Sequence, residues 1–201
     1  MEKNFDDEYS YPVAGIDEAG RGSLVGPVVA ACVIIDHSKL CPKIFEKIND
    51  SKKLSIKNRF LIYQKLLELN SIGIGIVEAK IIDKINIFQA TKLAMKLAFD
   101  NLIKRKFLPQ IALVDGNFIP EINCPAKSII KGDNKSKSIA AASIIAKQTR
   151  DNLMLKMHQK YPQYKWDKNK GYGTKSHLDN IKKHGICDLH RKSFKPIAMH
   201  I

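Results

Sequence analysis

Hydrophobic and polar positions change period several times along the chain. Residues 11–17 and 26–36 are short, apolar and rich in Val and Ile, with Gly-x-Gly turn signals between them, and predict two strands joined in a hairpin. In residues 56–70, Ile56, Phe60, Tyr63 and Leu67 recur at helical spacing, and Ser55 stands where an N-cap belongs. A third strand is predicted over residues 72–79, where Ile72, Ile74 and Ile76 alternate with two glycines, and a long helix over residues 87–106, ended by Pro109. Residues 111–116 predict a fourth strand that stops at Asp115, and residues 126–130 a fifth that ends near Lys131-Gly132-Asp133. The helix predicted over residues 136–161 is apolar nearly all round through residues 139–146, which marks its first half as buried. A Lys-, Asn- and Gly-rich loop (162–174) and a helix (175–184) follow. Strands grouped early and helices interleaved later point to an α/β fold, a mixed five-stranded sheet flanked by helices with a C-terminal helical segment.

Composition narrows the function classes. The 201 residues, 44% of them hydrophobic, suffice for one sizeable core, so the chain reads as a single domain spanning 1–201. No apolar run approaches the roughly 18 residues of a membrane span. The acidic start, Met1 to Glu8, lacks the apolar stretch of a secretory signal. The expected setting is the cytoplasm, away from membranes. Cys32, Cys41, Cys124 and Cys187 show no C-x-x-C spacing and indicate neither a zinc site nor a disulfide framework. The net charge of +14 is unevenly placed: residues 127–201 carry 17 Lys and Arg against 5 Asp and Glu, and the remainder 17 against 15. A positive field confined to the C-terminal third is the footprint of a polyanion, nucleic acid before acidic membrane, although a solvated basic surface would look the same by charge alone.

The acidic residues gain meaning from position. Asp17-Glu18, Asp115 and Asp133 each follow an apolar strand pattern. One such residue is commonly a strand terminator or a helix cap. Three on neighbouring strands would converge, and crowded like charges are costly unless a cation neutralises them. All-oxygen ligands without an ordered His or Cys set point to Mg²⁺ or Mn²⁺, and in a basic protein to phosphodiester chemistry with two metal ions.

Gly15-Ile16-Asp17-Glu18-Ala19-Gly20-Arg21-Gly22, followed by Gly26-Pro27-Val28-Val29-Ala30-Ala31, closely resembles the opening of the ribonuclease HII family. Asp50-Ser51-Lys52-Lys53-Leu54, Val114-Asp115-Gly116, Lys131-Gly132-Asp133, Ala141-Ala142-Ser143-Ile144-Ile145-Ala146-Lys147, Gly171-Tyr172-Gly173-Thr174 and His190-Arg191-Lys192-Ser193-Phe194 match later motifs of that family in order, over about residues 13–196. The resemblance implies a ribonuclease H-like fold and a site of Asp17, Glu18, Asp115 and Asp133 holding two Mg²⁺ or Mn²⁺ ions. It implies that the backbone of Gly20, Arg21 and Gly22 reads a ribose 2′-hydroxyl and that Tyr172 stacks on the sugar of the next deoxynucleotide; the place of Lys52 before a helix N-terminus suits a phosphate contact. The implied substrates are RNA–DNA hybrids and duplex DNA with embedded ribonucleotides, the implied role ribonucleotide removal in replication and repair, and the default state a monomer. The sister type, ribonuclease HIII, carries an added N-terminal domain and a Glu as its last acid, whereas here residues 1–12 precede the first strand and the last acid is Asp133.

Three positions depart from the family pattern: Ser23 and Val25 stand for the usual Pro and Ala, and Asn169 for a frequent His. Ser23 is expected to loosen a turn that Pro would stiffen. The G-x-G-x-x-x-G spacing of Gly20, Gly22 and Gly26 precedes a strand-like run, so a dinucleotide fingerprint fails on context. His177, His184 and His190 lack helical metal-pair spacing and read as surface or phosphate-contacting residues. Lys52 and Lys53 equally suit a solvated pair. Because successive strand side chains point to opposite faces, Glu18 is expected to reach the site either from a distorted strand end or through its backbone carbonyl. Two rivals stay open: a catalytically silent basic binding module, and another nuclease of the same fold, such as a junction resolvase or a type 1 ribonuclease H.

Overall fold

The computed structural model describes residues 4–48 and 54–200. Val- and Ile-rich runs become the strands. β1 (Val13–Ala19) and β2 (Val28–Ile34) pair antiparallel, as the hairpin pattern predicts, and β3 (Ile72–Val77) pairs antiparallel with β2. β4 (Ile111–Asp115) lies parallel to β1 and β5 (Ala126–Ile129) parallel to β4, giving one mixed sheet in the order β3-β2-β1-β4-β5.

Helices cover both faces. α1 (Pro42–Lys47) was not anticipated; Pro42 sits in its first turn, where a missing N–H costs nothing. α2 (Ile56–Leu67) begins at Ser55, whose Oγ accepts the Asn58 N–H, as the cap signal predicts. α3 (Ala79–Lys104) begins well before the predicted residue 87. The cause is Asn86, at φ 64° and ψ 165°: it breaks the helix, and its side-chain oxygen accepts the Gln89 N–H at 3.1 Å, so the predicted start is the restart after a break. α4 (Lys137–Lys160) is capped by Ser136 Oγ on the Ile139 N–H at 3.1 Å. α5 (Trp166–Asn169) lies inside the predicted loop, α6 (Lys175–His184) matches its predicted span, and α7 (Lys195–Ala198) adds a short last turn.

Strand alternation divides the core in two. Ile16, Val28, Ala30, Cys32 and Val114 face α3, where Ala94, Met95, Ala98, Phe99 and Leu102 pack on them. Ala31 and Val33 face the other way, against Ile62 and Leu66 of α2 and Ala141, Ile144 and Ile145 of α4. Each fully buried Ile, Leu or Phe contributes roughly 1.5–3 kcal/mol of transfer free energy. α4 packs directly on Gly15, where a Cβ would sit 2.0 Å from the Ser138 carbonyl carbon; only glycine permits that approach, which brings the start of the helix against β1. The segment before β1 is tied to the start of α4: the buried Asp6 carboxylate accepts from the hydroxyls of Ser136 and Ser138 and from the Ser138 N–H.

Candidate active site

Asp17 and Asp115 lie on adjacent parallel strands, one step beyond Ile16 and Val114, the last registered pair between β1 and β4. Both fall on the α4 face, the face of Gly15 and Leu113. Asp17 is 6% exposed and accepts the Glu18 N–H at 2.7 Å and a hydrogen bond from Ser143 of α4. Burial drives its carboxyl well above the usual carboxylate range, and the charges of Glu18 and Asp115 raise it further. Asp115 Oδ1 accepts the Gly132 N–H at 2.7 Å.

Glu18 differs. Of the two routes expected for Glu18, a distorted strand end or its backbone carbonyl, the first is absent: the antiparallel ladder continues through Glu18↔Ala30 and Ala19↔Val29, and the chain turns only at Gly20, with φ +97°. The Glu18 side chain therefore starts on the α3 face. Burial raises its carboxyl most, Arg21 at 3.3 Å offsets part of that rise, and Asp115 adds to it.

Asp133 is not at a strand end. β5 stops at Ile129, and Asp133 sits in a 3-10 turn, Gly132–Asn134, between β5 and α4, because Lys131 takes a left-handed conformation (φ 55°) that ends the extended run. It is 9% exposed, accepts from Asn134 Nδ2 at 3.0 Å and adjoins Gly132, the donor to Asp115. Among the described residues no three acidic, His or Cys side chains are gathered closely enough to hold one ion between them as they stand. Asp17, Glu18 and Asp115 repel one another, and each holds a donor of its own, the Glu18 N–H, the Arg21 guanidinium and the Gly132 N–H respectively. An all-oxygen set of mutually repelling, largely buried carboxylates fits a hard divalent cation, which would relieve that repulsion.

The loop over residues 20–27 joins β1 to β2 and is held by two buried arginines that sequence reasoning missed as site elements. Arg150 donates to Pro27 O (3.0 Å), Val25 O (3.0 Å), Ser23 Oγ (2.7 Å) and, across to the Tyr172 segment, Lys170 O (2.9 Å). Arg191 donates to Gly26 O (3.0 Å) and Arg21 O (2.9 Å); burial, then the Arg150 cation, push its guanidinium down to about 9. The signal for Arg150 was present: Ala142, Ala146, Arg150 and Met154 fall at i, i+4 spacing on one buried stripe of α4. Ser23 is fully buried and accepts from Arg150, so it ties the turn down rather than loosening it. Asn169 bridges Tyr164 O (2.8 Å) and the Gly171 N–H (2.8 Å), a fitting partner where a His was expected.

Tyr172 is 38% exposed, with the Arg150 guanidinium 5.6 Å from its ring centre. His177 and His190 are not surface residues: they are buried beside Trp166 and Tyr164, because α6 packs back on this aromatic cluster; His184 is exposed. Lys52 lies outside the described residues.

Sheet order and helix placement are those of the ribonuclease H-like fold. A search of solved structures agrees: this chain superposes on ribonuclease H2 from Pyrococcus horikoshii OT3 with TM-score 0.75, 27% identity and coverage of 94% of this chain and 96% of that one. It also superposes on the Archaeoglobus fulgidus ribonuclease HII of a complex with PCNA, with TM-score 0.72, 26% identity and coverage of 92% and 96%. The ribonuclease HII family profile matches residues 14–197. Curated ribonuclease HII proteins share 53% identity over 195 residues in Rickettsia akari, 96% of each chain, and 52% over 191 residues in Chlamydia muridarum, 94% of this chain and 84% of that one. The chain belongs to the ribonuclease HII family of ribonuclease H hydrolases.

Proposed function

We propose that the chain is an endonuclease that hydrolyses the RNA strand of RNA–DNA hybrids and incises duplex DNA on the 5′ side of an embedded ribonucleotide, leaving 3′-hydroxyl and 5′-phosphate ends. The observation that carries this reading is the pair of Asp17, buried, and Asp115, half-buried, on adjacent parallel strands, with the loop that follows β1 clamped by Arg191 and tied through Arg150 to the Tyr172 segment. Asp17, Glu18, Asp115 and Asp133 would hold two divalent ions, Mg²⁺ or Mn²⁺; a structural neighbour at 19% identity, the ribonuclease HIII named Bst, is described in complex with Mn²⁺. When bound, such ions neutralise the phosphate and activate water. The protein's own part is positional. The carboxylates fix where charge is neutralised, the backbone of Gly20, Arg21 and Gly22 offers groups to the 2′-hydroxyl, and Tyr172 presents a ring to the following deoxyribose.

The setting in this reading is a monomer in the cytoplasm, removing ribonucleotides during replication and repair; no helix among the described residues is long and apolar enough to cross a membrane. The deciding experiment is incubation with Mg²⁺ and a DNA duplex carrying one ribonucleotide. Cleavage that chelator abolishes is expected. Tight binding without divalent-dependent cutting would leave the basic binding module as the better reading.

A further inference from the structure

Tyr172 stands between Gly171 and Gly173, so its own segment supplies little backbone stiffness. A ring that is to lie against one particular sugar needs its Cα–Cβ direction fixed from outside. The constraints converge on the Tyr172 peptide groups. Its N–H donates to Asn169 O at 2.9 Å, and its carbonyl accepts the Thr174 N–H at 2.8 Å and faces His177 Nδ1 at 2.9 Å.

The His177 proton can be placed by elimination. His177 is fully buried, and its Nε2 lies 3.1 Å from Trp166 Nε1. An indole N–H only donates, so Nε2 must accept, and a neutral ring then carries its proton on Nδ1 and donates it to the Tyr172 carbonyl. Burial lowers the tendency of His177 to take a second proton, consistent with that neutral form. Trp166 is itself buried and stacked on Tyr164, with ring centres 5.0 Å apart and planes 13° apart, and Tyr164 Oη donates to Gly185 O at 3.0 Å. We propose that His177 is the positioning residue of Tyr172: the relay from Trp166 N–H to His177 to the Tyr172 carbonyl orients a glycine-flanked peptide so that the exposed ring is held for the deoxyribose beyond the ribonucleotide. The Thr174 N–H alone already satisfies that carbonyl, so what the imidazole adds is direction. The inference rests on Tyr172 being the sugar-stacking ring.

The test is the junction preference, the ratio of kcat/KM on a DNA duplex with one ribonucleotide to kcat/KM on a continuous RNA–DNA hybrid, since a ratio cancels a general loss of active protein. Tyr172→Ala should lower it, and His177→Phe, which keeps an aromatic ring but no donor, should lower it about threefold to tenfold, the scale of one lost hydrogen bond. His177→Asn, whose amide nitrogen stands near the Nδ1 position, should restore most of it, and Tyr172→Ala combined with His177→Phe should be no worse than Tyr172→Ala alone. If Tyr172→Ala loses the preference while His177→Phe keeps it, His177 only packs and the proposal falls by itself. If Tyr172→Ala keeps the preference, the stacking reading falls and takes the proposal with it. The wild-type protein gives a check that does not depend on variants folding: imidazole ¹⁵N shifts at neutral pH should report His177 protonated on Nδ1 alone, and an Nε2-protonated or doubly protonated ring overturns the relay.

Discussion

Asp17 and Asp115 stand side by side on the α4 face of the sheet, each taking a backbone N–H at 2.7 Å, from Glu18 and from Gly132 respectively. Two carboxylates so placed burden the protein unless a cation joins them. Asp17→Asn and Asp115→Asn should each cost several orders of magnitude in cleavage, with the fold intact. The stability change should run the other way. A carboxyl whose folded pKa is raised gives its full contribution below the unfolded pKa and loses it as pH rises through the folded pKa, so the metal-free protein carries the penalty of an ionised Asp17 on the alkaline side. Asp17→Asn should therefore raise Tm in chelator near pH 8 by a few degrees, since 1 kcal/mol moves Tm by about 2–4 °C at this size. Thermal melts with and without chelator decide it: a variant that melts lower than wild type without metal would mean that the ionised carboxylate is stabilising.

The strands were legible because burial on both faces writes continuous Val and Ile runs, and the cap at Ser55 was legible because its hydroxyl does the local work a cap must do. The break in α3 was not. Asn86 at positive φ interrupts a helix whose apolar periodicity resumes beyond it, and a pattern reader finds only the stronger half. Asp17 and Asp115 could be picked out as carboxylates ending apolar runs, and alternation already set Glu18 on the opposite face, but that the ladder continues undistorted to Ala19 was concealed by the turn signals nearby. Arg150 was missed and His177 and His190 were misjudged for one reason: a charged or polar residue is read as exposed until its partners are known, and theirs come from segments as distant as Pro27 and Tyr172.

Gly20 and Gly22 should respond differently to the same substitution. A Cβ on Gly20 would lie 2.0 Å from Arg150 Nε at φ +97°, whereas one on Gly22 meets nothing within 4 Å. Gly20→Ala should lower Tm by several degrees and disturb the whole loop, and Gly22→Ala should keep the wild-type melt. Any loss of cleavage in Gly22→Ala is then a loss at the substrate. Equal melting losses in both variants would show that the Arg150 contact does not distinguish the two positions.

Several basic residues of the C-terminal third should meet phosphates. Lys131, Lys135 and Lys175 are exposed and Lys170 is half-buried beside the Tyr172 turn. Affinity for a duplex should fall steeply with salt, the logarithmic slope losing about 0.9 for each phosphate contact removed. Neutralising the four together should flatten that slope measurably in binding titrations over a salt series. An unchanged slope would put the nucleic-acid face elsewhere on the molecule.

The products should show which oxygen attacks phosphorus. Turning the 2′-hydroxyl into a nucleophile requires a general base within hydrogen-bond reach of it. The buried imidazoles nearest to the Tyr172 turn are committed elsewhere: His177 binds Trp166 and the Tyr172 carbonyl, and His190 Nδ1 accepts the Cys187 N–H at 2.9 Å, with burial, then His177, holding its pKa down to about 4. In the proposed reading the 2′-hydroxyl is a recognition handle and water the nucleophile, so the cut should fall 5′ to the ribonucleotide and leave a 3′-hydroxyl and a 5′-phosphate. Mass spectrometry of the products, or extension of the nicked strand by a polymerase that needs a free 3′-hydroxyl, checks this. A 2′,3′-cyclic phosphate would mean that the 2′-oxygen attacked, and hydrolysis at a carboxylate-bound metal site would have to be abandoned.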